Sequence, residues 1–502
     1  MRKIMKKITA CTAAAALACT CAVSVSAETS DTFKDLDQAE FTAAMGLGWN
    51  LGNQLEAVSN GTPKETAWGN PVITEDLIKA VKAQGFSTIR VPVSYLSKIG
   101  DGPDYTVDEA WLDRVQEVVD YCVDNDMYVI INMHGDGYHT IDGGWLFCDA
   151  SDEEQTVIKA KYESVWTQIA EKFKDYDEHL VFESMNEEFN NEYGDPVAEA
   201  YDNINDYNQI FVNAVRGTGS NNTKRWLLIP GWNTNIDYTA KDYGFELPED
   251  SLCEADGNRI AVSVHFYDPY GFVLNEKGTA RTQWGKYGDT SKKDNWGQED
   301  HVDQQMQLLN EKFTSQGYPV IIGELGAIDK TTSDVNNNEF RRYWAEYVVK
   351  AAKANGCIPV YWDNGWNGNN GHGLFNRKDC TVTQQGIIDG MVRAISATED
   401  YEIPAITLKE PEDPSSSQPD TSSSSVSSSE SSESSSTADS SSSAASSTDT
   451  SSTASSSKAS SSSSKAASSS TTSNPSTGAA AAAFAVIAIA GAGVVITKKK
   501  NS

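Results

Sequence analysis

The sequence is poor in cysteine and in positive charge. Three of its eight cysteines fall in the first 27 residues, which leaves Cys122, Cys148, Cys253, Cys357 and Cys380. An odd, scattered set without short paired spacings argues against a disulfide framework and against a zinc site; a bridge or two stays open, and free thiols are the plain expectation. Lys and Arg number 40 against 71 Asp and Glu, a formal charge of −31. That excess repels nucleic acid and anionic surfaces and suits a neutral partner. No glycine-rich phosphate loop follows the first expected strand, which weakens a nucleotide-binding open sheet.

Long apolar runs occur only at the two ends. Residues 1–27 read as a secretory signal: Arg2, Lys3, Lys6 and Lys7, an apolar run over 8–23, then Val25-Ser26-Ala27 for cleavage. A lipoprotein reading on Cys19 is the alternative, with a poor lead-in at Ala16-Leu17-Ala18. Residues 411–473 are almost all Ser, Thr, Ala, Asp and Glu. They cannot bury enough apolar area to offset their ordering entropy, so a disordered stalk is expected. A foldable region remains at 28–410, a length that suits one α/β barrel with insertions.

Within it, short Val- and Ile-rich runs alternate with longer helical periods. Strands are expected at 46–51, 88–93, 128–133, 180–184, 226–230, 260–265, 320–323 and 359–362, as for strands buried on both faces. Helices are expected at 74–84, 108–125, 152–173, 198–216, 301–316, 338–354 and 383–396. The slot between Pro230 and Ile260 has no clear long helix. About eight such alternations predict a (β/α)8 TIM barrel, with the doubly wound open sheet as rival.

Polar residues cluster where these strands end: Arg90, His134, Asn186-Glu187, His265 with Tyr267, Glu324 and Trp362. In a parallel barrel all these ends converge on one face. Each residue alone has a bland reading as an ion-pair partner or a core group. A carboxylate closing a buried strand is harder to dismiss, since burying it unpaired is costly. Two glutamates on one rim suit glycosidic cleavage, which needs one protonated and one ionised carboxyl. Trp68, Trp145, Trp232, Trp296 and Trp366 fall in expected loops, where their flat faces could stack on sugar rings.

Gly48-Trp49-Asn50-Leu51-Gly52-Asn53, Ile89-Arg90-Val91-Pro92-Val93, Asn186-Glu187, His265-Phe266-Tyr267 and Gly323-Glu324-Leu325-Gly326 resemble glycoside hydrolase family 5, in the family's order over roughly residues 40–395. The opening motif is most similar to subfamily 4. The resemblance implies a (β/α)8 barrel and a retaining endo-acting glycosidase, commonly a β-1,4-glucanase. It implies Glu187 as acid/base and Glu324 as nucleophile, with Arg90 and Tyr267 orienting the nucleophile. It implies Asn186 on the sugar 2-hydroxyl, His134 and His265 lining that subsite, and Trp362 as its floor. No metal or cofactor is implied. Three departures from the pattern stand out: Glu188 replaces the usual Pro, Gly135 replaces a second histidine, and Gln54 and Glu56 stand where Thr and Asp are common. The last departure bears on substrate preference, and Glu188 on the tuning of Glu187.

At the C-terminus, Asn474-Pro475-Ser476-Thr477-Gly478 precedes an apolar run over 479–496 and Lys498-Lys499-Lys500. Residues 474–502 resemble a sortase sorting signal cut between Thr477 and Gly478. A single-span tail anchor is the alternative, since eighteen apolar residues just cross a bilayer. The expectation is an extracellular monomer attached to a cell wall or surface, acting on a β-glucan. It suits a Gram-positive bacterium. The alternatives are xyloglucan, mixed-linkage glucan or mannan as substrate, or a catalytically silent glycan-binding adhesin on the same barrel.

Overall fold

The computed structural model describes residues 33–409. The expected signal at 1–27, the stalk at 411–473 and the sorting signal at 474–502 lie outside the described residues. No helix among the described residues is long and apolar enough to cross a membrane.

Eight parallel strands close into a barrel. They are β1 (Gly48–Leu51), β2 (Thr88–Val91), β3 (Tyr128–Asn132), β4 (Leu180–Glu183), β5 (Leu227–Asn235), β6 (Ile260–Phe266), β7 (Val320–Leu325) and β8 (Cys357–Asp363). Each pairs with the next, and β1 closes the ring on β8 with Gly48 opposite Val360. Glycine is required at 48 because a Cβ there would stand 2.7 Å from the Val360 side chain. Nearly every strand residue is buried, because helices cover the outside and side chains fill the inside.

The helices fall where the apolar periodicity places them. They include α2 (Glu75–Ala83), α3 (Glu109–Val123), α4 (Asp152–Phe173), α5 (Ala198–Gly217), α8 (Glu299–Lys312), α9 (Asn337–Ala354) and α10 (Gln385–Ser396). Thr74 and Asp108 cap α2 and α3 by accepting from the backbone N–H of Leu77 and Trp111. The slot after β5 holds only the five-residue α6 (Ile236–Ala240), and a short α7 (Tyr270–Val273) follows β6.

Helix α1 (Gln38–Met45) was not expected from the sequence. Asp37 and Glu40 form a reciprocal capping box at its start. Its Phe41 and Met45 enter the cluster inside the barrel with Ile130, Val181, Leu228, Ile321 and Val360. Phe41 stacks on Trp226 at 4.7 Å and meets Tyr128 edge-on. The helix therefore plugs the end of the barrel opposite the strand C-termini, and burying Phe41 contributes roughly 1.5–3 kcal/mol.

All five cysteines among the described residues are free thiols.

Candidate active site

Arg90, at the end of β2, is fully buried and organises the open end of the barrel. Its Nε donates to Glu183 Oε2 at 2.7 Å. Its Nη1 donates to Glu324 Oε1 at 2.8 Å and to Asn50 Oδ1 at 3.1 Å, and its Nη2 to Asn186 Oδ1 at 2.8 Å. Burial works against the guanidinium charge, but Glu183 and Glu324 outweigh it and raise its affinity for the proton. Asn132 Nδ2 and Ser263 Oγ donate to the remaining positions on Glu183. Six barrel strands, β1 to β4, β6 and β7, are thus tied together beneath the cleft.

Glu324 ends near the tip of β7. Its other oxygen, Oε2, accepts from the Tyr267 hydroxyl at 2.9 Å. Burial holds the Tyr267 phenol well above its ordinary range, so it remains a donor. Glu187 lies four residues beyond β4 on a segment pinned from below. Both Tyr162 and Trp166 donate to the Ser184 carbonyl, and Ser184 Oγ donates to Asn208. Glu187 Oε1 is 2.7 Å from His265 Nδ1, and its Oε2 accepts from the Tyr138 hydroxyl at 3.0 Å. Asn186 Nδ2 donates to that same Tyr138 hydroxyl.

The two glutamates face each other, with an oxygen of each and a nitrogen of His265 all within 4.8 Å. The Glu324 side chain is 4 % exposed and the Glu187 side chain 26 %. Burial pushes both carboxyls up. On Glu187 the His265 contact outweighs it and holds the group below the ordinary range. On Glu324 burial, aided by the Glu187 charge, outweighs His265 and Arg90 and holds it above. The Arg90 guanidinium already supplies the cation on Glu324, so this trio reads as a carboxyl pair with an imidazole and not as a set of metal ligands.

His134 stacks on Trp362, with rings 6.0 Å apart and 6° from parallel. Burial, then the Arg90 charge, holds His134 well below its ordinary range, so it is a neutral ring near neutral pH. Trp362 packs over Gly52, where a Cβ would stand 2.7 Å from the indole. All eight residues expected on the rim, Arg90, His134, Asn186, Glu187, His265, Tyr267, Glu324 and Trp362, therefore meet in one cleft.

The five loop tryptophans differ in their surroundings. Trp232 is 1 % exposed and packs on Tyr201, because β5 runs on through it. Trp145 donates to Asp136 and carries the Lys161 ammonium over its ring. Trp68 donates to the Val58 carbonyl, and Trp296 packs edge-on to His301. Only Trp366 of the five is largely open, at 64 %. Gln54 and Glu56 are also turned inward. Gln54 bridges the Pro71 carbonyl and Arg377, while Glu56 accepts from the backbone N–H of Asn53 and Gln54. Neither reaches the cleft, so neither can read the substrate directly.

Sequence reasoning missed Glu183, Asn50, Asn132 and Tyr138. Glu183 carried a signal, since it is a charged residue inside an apolar strand run. Tyr138 carried none, because only the path of the loop after β3 brings it to Glu187.

The description "Cellulase (glycosyl hydrolase family 5)" matches residues 52–368. Endoglucanase A of Paenibacillus barcinonensis is 53 % identical over 367 residues, covering 72 % of this chain and 91 % of that protein. A family 5 xyloglucanase from Paenibacillus pabuli superposes with a TM-score of 0.69 at 53 % identity, covering 71 % of this chain and 99 % of that one. A GH5-4 broad-specificity endoglucanase from Bacteroides salanitronis superposes with a TM-score of 0.67 at 41 % identity, covering 72 % and 95 %. With its closed eight-stranded barrel and facing glutamates, the chain belongs to glycosyl hydrolase family 5 and is a glycoside hydrolase acting on β-glucans.

Proposed function

We propose that the protein is a retaining endo-β-1,4-glucanase in which Glu324 is the nucleophile and Glu187 the acid/base. One observation carries this reading: an oxygen of each carboxyl lies within 4.8 Å of the other. Double displacement uses a separation of about 5–5.5 Å, whereas inversion needs about 6.5–9.5 Å to admit a water.

In the first step a Glu324 oxygen attacks the anomeric carbon. Glu187 transfers its proton to the departing oxygen, the glycosidic bond breaks and a glycosyl ester forms on Glu324. In the second, Glu187 takes a proton from water, the water oxygen attacks the same carbon and the ester bond breaks. Two inversions give net retention. Arg90 and Tyr267 hold the two oxygens of Glu324 in line. Arg90 also claims Asn186 Oδ1, which turns the Asn186 amide N–H toward the cleft and the sugar 2-hydroxyl. His134 and His265 line this subsite and Trp362 forms its floor.

As the acid, Glu187 carries its proton on a carboxyl oxygen, held in place by His265 Nδ1, 2.7 Å from Oε1, and by the Tyr138 hydroxyl, which donates to Oε2. A proton on Glu187 removes the like charge that raises Glu324, leaving Arg90 and Tyr267 to favour the Glu324 anion. The two carboxyls therefore take opposite protonation states as one unit.

The favoured substrate is a β-1,4-glucan, a reading supported by the likeness to endoglucanases. Xyloglucan is the second reading, supported by the 53 % identity to the Paenibacillus pabuli xyloglucanase. Mixed-linkage glucan and mannan are the remaining arms of the test. Reducing-end release on carboxymethyl cellulose, xyloglucan, mixed-linkage glucan and mannan, beside Glu187→Gln and Glu324→Gln, ranks them. Release on mannan alone replaces the substrate, and release on none with retained glycan binding favours the adhesin.

The N-terminal signal, the Ser-rich stretch and the tail support a secreted, surface-attached enzyme. The stalk would let the barrel reach a polymer too large to import, with sortase cleavage between Thr477 and Gly478. Release of the enzyme by wall-digesting muramidase supports wall linkage, and release only by detergent supports a membrane anchor.

A further inference from the structure

Glu188 follows Glu187 directly but points elsewhere. It is 2 % exposed, and its Oε2 has no hydrogen-bond partner among the described residues. Its carboxyl fills the space beside Gly137, where a Cβ would overlap it. Gly137 precedes Tyr138, whose hydroxyl donates to Glu187 and accepts from Asn186. The backbone on the other side is tied as well, since the Asn233 N–H donates to the Glu188 carbonyl.

We infer that Glu188 is a positioning residue: its carboxyl, seated against Gly137, sets the loop that carries Tyr138 onto Glu187 and Asn186. This inference rests on the assignment of Glu187 as acid/base. The groups that face Glu188 are all acids or neutral. Asp136 and Tyr138 come from the loop after β3, and Cys148 and Asp149 from the end of that loop. Tyr162 comes from α4, Tyr207 from α5, and Glu187 from its own segment. Lys161 acts on Asp136 instead, and the His139 ring is hydrogen-bonded to Asp149. Burial, then Asp136, Asp149 and Glu187, raise the Glu188 carboxyl well above its ordinary range. Ionisation would place a charge with no partner against Gly137 and push the loop outward, withdrawing Tyr138 from the acid/base.

The sign follows from linkage. A carboxyl whose folded pKa is raised contributes stability that is present below its unfolded pKa and lost as pH rises through the folded one. Glu188→Gln keeps the shape and removes the titration.

The test compares the full protein with Glu188→Gln by melting temperature and by kcat and KM over pH. The melting difference is expected to be near zero at about pH 4 and to grow in favour of the variant as pH rises. The alkaline limb of kcat should shift upward by half a unit or more, with KM little changed. Tyr138→Phe should cancel the kcat shift and leave the melting shift in place. Superposable melting and kcat profiles would overturn the inference. So would a kcat shift that persists in Tyr138→Phe. If the variant does not fold, Gly137→Ala provides the second route: it should lower kcat more than KM rises, and an unchanged kcat would overturn the inference. The melting readout needs no substrate, so failure of the glucanase reading would appear separately, as absent hydrolysis by the unmutated protein.

Discussion

Arg90 and Glu183 form an ion pair with both side chains fully enclosed, 2.7 Å apart, directly beneath the two facing glutamates. Removing Glu183 leaves Arg90 Nε, Asn132 Nδ2 and Ser263 Oγ buried without their acceptor, while Arg90 keeps its ion pair with Glu324. Glu183→Ala is therefore expected to cost at least about 1–3 kcal/mol, the penalty of one such orphaned group, and Glu183→Gln less. Urea unfolding at pH 7 measures it. Activity should fall in both, because Arg90 would no longer be held on Glu324 and Asn186. A change under 1 kcal/mol with full activity would show that the pair does not anchor the site.

The roles of Glu187 and Glu324 separate on leaving-group quality. Glu187→Ala should lower kcat on polymer by about 10²–10⁴, yet still form the glycosyl ester from an aryl glycoside with a good leaving group. Glu324→Ala should lose both. Stopped-flow release of the aryl group distinguishes the two. Proton NMR of the first product reads the anomer, and a β-configured product is expected. An α-configured one would mean inversion.

Glu56 makes stability depend on pH. Its carboxyl is buried against the backbone N–H groups of Asn53 and Gln54, and burial pushes it up to about 7. Raised above its unfolded value of about 4.3, it contributes stability that is complete in acid and lost as pH rises through about 7. The loss amounts to up to roughly 4 kcal/mol. Glu56→Gln should flatten this part of the melting-temperature profile between about pH 4 and 8. An equally steep profile in the variant would remove Glu56 as the cause.

Helix α1 closes the barrel, and Phe41 is its main contact. Phe41→Ala should cost about 3–5 kcal/mol while leaving KM nearly unchanged, since the plug lies at the end away from the cleft. Calorimetric unfolding and Michaelis–Menten analysis check the two parts. A small stability loss would mean that the helix is an accessory and not a plug.

Much of the fold was legible because barrel strands are buried on both faces and surface helices on one. Val129-Ile130-Ile131 and Val320-Ile321-Ile322 read as strands without knowledge of their neighbours. Leu112, Val115 and Val119 read as one face of α3 in the same way. Helix α1 was missed because its apolar residues, Phe41 and Met45, are too few to give a period. Their partners, Tyr128 and Trp226, lie far along the chain. The continuation of β5 through Trp232 was missed because Pro230-Gly231 looks like a stop, whereas its register shifts there and pairing with β6 resumes at Asn235.

The sequence by itself determined the barrel and the rim residues, because strand ends in a parallel barrel share one face. It also placed charged residues, Arg90, Glu183 and Glu324, in or at the ends of strands where an unpaired charge is costly. Which charges would meet was decided only by the tertiary structure, because hydrogen bonds depend on side-chain direction across strands distant in sequence. Closure of the ring put Arg90 between Glu183 and Glu324. It turned Gln54, Glu56 and Trp232 inward and left Trp366 open. The path of the loop after β3 brought Tyr138 to Glu187 and seated Glu188 against Gly137.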